Sequence, residues 1–280
     1  MVANHTNNPN FAIILPELDA FVRQLGEVYQ SLASLTWAEA RHRVRGFYSD
    51  EQMARVESVL KGWTQMATYY DQITLVHVNL VMMTMMCLPE YQGATPERQN
   101  EFIWMALCHD IAKIVPDEGY KRDFTHAFRG AGMTARILAQ AGFPTCEGFA
   151  QHIEAWCDLL NNAYLPADHS LPERADHRQL PAILTGLDAL FYSDSAPHRI
   201  VRGVLFHMGL DTLKAWPPPV AFTREEIQAY VTPTLYPTLK AMYLADSWAW
   251  ALLYPEQVKP QLKEIRSAFA GFAHIIGVLQ

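Results

Sequence analysis

His109 and Asp110 stand side by side at the end of an apolar run, Phe102-Ile103-Trp104-Met105-Ala106-Leu107-Cys108, and Lys113 follows them closely. An imidazole and a carboxylate at the buried end of a helix are costly to keep without a partner. A divalent cation satisfies both. On a continuous helix Lys113, four residues after His109 and three after Asp110, shares their face. A cationic donor beside a metal is an arrangement suited to holding a phosphate.

Further metal-capable side chains are embedded in apolar stretches: His77 in Leu75-Val76-His77-Val78, then His126, His152, and Asp188 in Leu184-Thr185-Gly186-Leu187-Asp188-Ala189-Leu190-Phe191. A single histidine on an apolar face is usually a satisfied core residue. Here five predicted helices each carry one ligand-type residue or pair, in the order His, His-Asp, His, His, Asp. That joint occurrence favours convergence on metal.

The elements that must position these groups are helical. Apolar residues recur at helical spacing over 18–35 and 50–70, and 68–86 is strongly apolar. Thr95-Pro96-Glu97 is a helix start, with a Thr cap, Pro at the first position and an acidic first turn. That helix is expected to run through Lys113. A polar loop over 116–123 precedes helices over 126–141 and 145–160. A long loop over 164–177 precedes helices over 180–192 and 198–210. Trp216-Pro217-Pro218-Pro219 is a rigid break, and helices over 223–230, 237–253 and 255–278 close the chain. No strand pattern or internal repeat emerges, so the expected class is all-α. The expected division is an N-terminal helical extension over 1–60, a metal-binding core over 61–215, and C-terminal helices over 216–280 packed on that core.

With these residues in place, the chain resembles the HD superfamily of metal-dependent phosphohydrolases. Ala106-Leu107-Cys108-His109-Asp110-Ile111-Ala112-Lys113 is similar to that family's central motif, and His126-Ala127-Phe128-Arg129-Gly130-Ala131 to its next helix. The resemblance spans about residues 68–194. It implies an HD-type helical bundle with extra terminal helices. His77, His109, Asp110 and Asp188 would bind one metal, and His126 and His152 a second. Mixed imidazole and carboxylate donors suit Mn, Fe, Co, Ni or Zn, and carboxylates with water can also hold Mg. The implied reaction is hydrolysis of a phosphate ester, a nucleotide or nucleotide-like compound, by metal-activated water. Asp110 would hold the metal, while Lys113 and Arg129 neutralise phosphate charge. Gln151-His152 stands where the cyclic-di-nucleotide branch has a His-His pair, which argues against that substrate. The same ligand order also occurs in HD-type di-iron oxygenases. A non-catalytic HD regulatory module is the third class.

Composition narrows the partners. Half of the residues are hydrophobic, 18% are charged and the formal net charge is −7. That balance suits a globular chain and disfavours broad binding to nucleic acid. The longest apolar stretch, Ile73 to Leu88, falls short of a membrane span. The four cysteines form no Cys-x-x-Cys pair, which with the polar N-terminus is expected of a cytoplasmic protein. Arg41-His42-Arg43-Val44-Arg45 is a small basic patch expected to be a solvated helix face. Met82, Met83, Met85 and Met86 are expected to fill the core.

Overall fold

A computed structural model describes residues 8–32, 35–68, 71–114, 123–168, 173–210 and 221–278. The fold is all-α: 73% of the described residues are helical, and among them the sheet structure is one two-stranded pair. The N-terminal part carries α1 (Phe11–Ile14), α2 (Pro16–Leu32), α3 (Trp37–Phe47), α4 (Asp50–Val59) and α5 (Trp63–Thr68). The middle holds α6 (Ile73–Cys87), α7 (Pro89–Gln92), α8 (Pro96–Cys108), α9 (His126–Gln140), α10 (Phe149–Asn162), α11 (Leu180–Leu190) and α12 (Ala196–Phe206). The C-terminal part consists of α13 (Arg224–Tyr230), α14 (Tyr236–Leu253), α15 (Pro255–Val258) and α16 (Leu262–Ile275). Trp216-Pro217-Pro218-Pro219 and most of the expected 116–123 loop lie outside the described residues.

The centre of the core is α6, buried from Thr74 to Met85. A helix apolar all round can only sit inside a shell of other helices. That shell is α2, α3, α5, α8 and α14. Met82, Met83 and Met85 are core filler, as expected, and Met86 packs at its edge. Between α6 and α14 the Thr84 hydroxyl lies 2.9 Å from the Ala245 carbonyl, one residue before an aspartate that proves important.

Three local expectations are corrected. The helix expected over 50–70 is broken in two. Gly62 adopts φ +99°, a left-handed conformation that a side chain disfavours, and Glu57 accepts the Gly62 and Thr64 amides at the break. The helix expected to run through Lys113 ends at Cys108, and His109 to Ala112 continue as tight turns closed by Ile111 N to Cys108 O and Lys113 N to Asp110 O. The loop expected over 164–177 contains a short antiparallel pair, β1 (Tyr164–Leu165) and β2 (Arg174–Ala175), too brief to leave a period-two pattern in sequence. Among the described residues, no helix is long and apolar enough to cross a membrane.

The Thr84 link predicts that Thr84→Val, which keeps shape and loses the donor, lowers unfolding free energy by about 1 kcal/mol in urea titrations.

Candidate metal centre

Six side chains from five helical segments converge. His77, His109 and Asp246 present ligand atoms to one another, as do Asp110, His126 and His207, and both sets could hold a metal ion. Asp110 joins them. Its Oδ2 lies 3.3 Å from His109 Nε2 and 3.7 Å from His77 Nε2, and its Oδ1 lies 3.1 Å from His126 Nε2 and 3.8 Å from His207 Nε2. Asp246 Oδ1 sits 2.8 Å from His77 Nε2 and 3.9 Å from His109 Nε2. All are buried except Asp246, whose side chain is 31% exposed. The centre therefore meets solvent over Asp246 and the neighbouring Lys113.

Local backbone aims the histidines. His109 and His207 cap the C-termini of α8 and α12. Each donates Nδ1–H to the carbonyl three residues earlier, Ala106 and Val204, at 2.7 Å. His126, at the N-terminus of α9, makes the same contact with the Asp123 carbonyl. Histidine near a helix C-terminus favours such bonds because the last carbonyls have no helical partner. A ring held through Nδ1 has a bare Nε2 and a fixed orientation, the usual preparation of a metal ligand.

That preparation leaves an unmet demand. His126 Nε2 and His207 Nε2 are 3.0 Å apart. With both Nδ1 atoms protonated, two lone pairs face each other. His77 Nε2 and His109 Nε2 are buried and lack a hydrogen bond of acceptable geometry. A cation in each group would satisfy all four nitrogens, so the donor set fits divalent metal.

Electrostatics set the protonation states. Burial pushes His207 down to about 3, helped by repulsion from His126 and His109, so it stays neutral. Burial also outweighs Asp246 at His77 and lowers its pKa. At His109 burial opposes the cation, but the Asp110 and Asp246 charges prevail and raise the pKa. Burial penalises the Asp110 carboxylate, yet His109, Lys113 and the imidazole contacts hold its pKa well below the usual range. Lys113 Nζ is 2.6 Å from Asp110 Oδ2 and 5.9 Å from the centre of the Trp250 ring. Trp250 packs on His77 with ring centroids 4.5 Å apart and stacks on Tyr254 at its outer side.

Of the residues singled out in the sequence, His77, His109, Asp110, His126 and Lys113 come together. His152 and Asp188 do not. On α10 the buried stripe is Ile153, Trp156, Cys157 and Leu160, and His152 falls beside it, exposed. On α11 the stripe is Ile183, Leu187 and Leu190, which turns Asp188 outward at 53% exposure, where it meets Ser193 and His198. His207 and Asp246 take the places assigned to them. Both carry a signal that could have found them: His207 continues the buried stripe Ile200, Val204, and Asp246 follows Met242 by four residues on the buried face of α14.

Arg129 is also corrected. Its guanidinium is 2.5 Å from Asp123 Oδ2 and bonds the Thr125 hydroxyl, with the Ala112 carbonyl at 3.4 Å. It holds the turn whose carbonyl orients His126. In the basic patch, Arg41 and Arg45 pair with Asp71, and Arg43 with Glu39.

Two substitution pairs separate the expected from the observed ligands. In equilibrium dialysis with Mn²⁺ or Co²⁺, Asp246→Asn and His207→Ala should each lose at least one equivalent of tight binding, while Asp188→Asn and His152→Ala bind as the unchanged protein does. Comparisons with protein families, with curated proteins and with solved structures find no match to this chain.

Proposed function

We propose that this protein is a metal-dependent hydrolase of a phosphate ester, a nucleotide or nucleotide-like compound, in line with the resemblance to the HD superfamily. The observation that carries the reading is Asp110, one buried carboxylate whose two oxygens face two different histidine groups while Lys113 contacts it from the solvent side.

The charge count favours an anionic substrate. With the imidazoles neutral, as metal ligation requires, two carboxylates and one lysine sum to −1. One divalent cation already makes the centre positive, and two make it strongly so. When bound, such ions acidify water and polarise a phosphoryl oxygen. The rest falls to side chains. Lys113 stands at the open edge, where it can meet an incoming phosphate oxygen. Asp246, the ligand nearest solvent, marks the path for water and substrate. Trp250 and Tyr254 form an aromatic wall outside Lys113, and Tyr254 is 40% exposed, which suits a flat base.

A second reading, an iron-dependent oxygenase, draws on four imidazoles and two carboxylates, a set that also suits iron. Dioxygen separates the two. Metal-loaded protein, supplied under argon with a panel of phosphomonoesters and cyclic phosphodiesters, should release phosphate or open the ester at the same rate as in air. Lys113→Met should lower kcat/KM by about a hundredfold with metal content unchanged. Turnover that requires and consumes oxygen would support the second reading. Full metal occupancy without turnover of any compound would leave a binding module.

Tyr254→Ala should raise KM for a nucleoside monophosphate several-fold and leave KM for ribose 5-phosphate unchanged, measured by phosphate release.

A further inference from the structure

Away from the metal centre, Glu101 is a second buried carboxylate, 2% exposed, in the middle of α8. Arg199 of α12 grips it with two nitrogens, Nε to Oε2 at 3.0 Å and Nη2 to Oε1 at 2.5 Å. Arg98 of α8 adds Nη1 to Oε2 at 2.6 Å. Arg98 also donates to the Thr234 carbonyl at 2.8 Å, in the turn that opens α14, and lies 3.5 Å from the Thr238 hydroxyl on α14 itself. One charged cluster thus ties together α8, α12 and α14.

These helices carry His109 with Asp110, His207 and Asp246. The spacing along each is the same. Glu101 precedes His109, Arg199 precedes His207 and Thr238 precedes Asp246, each by eight residues. Eight residues are just over two turns, about 12 Å of rise. The three helices leave one clamp in a common direction and deliver their ligands at a common height. Apolar packing specifies this register less sharply, because cores accept altered side-chain packing with loss of uniqueness before loss of stability. A bidentate guanidinium–carboxylate pair has a defined geometry and resists sliding.

We infer that Glu101, held by Arg98 and Arg199, is a positioning residue for the metal centre that sets the axial register of α8, α12 and α14. The inference rests on the metal-centre reading above. Its consequence is that loosening the clamp weakens and reshapes metal binding two turns away, beyond what lost stability alone would do.

The test uses full-length protein loaded with Co²⁺. Affinity is read by competition with a fluorescent chelator, and ligand geometry by the visible absorption of the bound ion. Glu101→Gln removes the charge and keeps the shape. Arg199→Lys keeps the charge and loses the fork, and carries the test if Glu101→Gln does not fold. Val56→Ala, on the distant α4, is the control for general destabilisation. The expected result is about tenfold or greater loss of Co²⁺ affinity with an altered spectrum in both clamp variants, and neither change in Val56→Ala. Wild-type affinity and spectrum in the folded clamp variants would overturn the inference, as would an equal loss in Val56→Ala. Wild-type protein that takes up no Co²⁺ would overturn the metal centre itself, and the inference with it.

Discussion

Burying the Asp110 carboxylate is the constraint around which this molecule is organised. Removing a charge from water costs several kcal/mol unless partners replace the solvent. Asp110 is 1% exposed, and its partners come from all sides: His109 from its own segment, His77 from α6, His126 from α9, His207 from α12, and Lys113 from the following turn. Each partner is itself an uncomfortable group to bury. The helices around the centre therefore hold together a set of side chains that they would not choose on packing grounds. Such a local cost, concentrated at one place in the core, is the physical ground for reading the cluster as a functional site.

The way the histidines are held supports that view. Three of the four spend Nδ1 on a main-chain carbonyl three residues earlier, so ring orientation is set by the C-terminal ends of α8 and α12 for His109 and His207 and by the turn before α9 for His126. Helix ends are useful for this because their terminal carbonyls need donors. The arrangement fixes the bare nitrogens before any ligand arrives, which limits the reorganisation needed on binding. Arg129 belongs to the same system: by gripping Asp123 and Thr125 it stiffens the turn that aims His126.

Much of the centre was legible in the sequence because apolar context makes a polar residue conspicuous. His77 in the middle of α6 and the His109–Asp110 pair at the end of α8 have no bland surroundings to hide in. The helical class followed from the same periodicity. Two residues were wrongly assigned to the centre for a geometric reason. Asp188 lies in an apolar stretch, but neighbouring residues on a helix differ by about 100° in direction, and it is Leu187, in register with Ile183 and Leu190, that faces inward. His152 stands in the same relation to Ile153 and Trp156. His207 and Asp246 were harder to find, since Asp246 lies beyond Trp216-Pro217-Pro218-Pro219, where the C-terminal helices were read as packing alone. Its helix, α14, is in fact one wall of the site.

The central claim is that the two groups joined by Asp110 are metal sites. Anomalous diffraction from crystals of the protein loaded with Co²⁺ or Mn²⁺ tests it most directly. The account predicts a peak within bonding distance, about 2.0–2.3 Å, of Asp110 and its neighbouring imidazoles. Asp246 or His207 should complete the coordination. No peak at Asp110, or a peak instead beside Asp188 and His198, would contradict it.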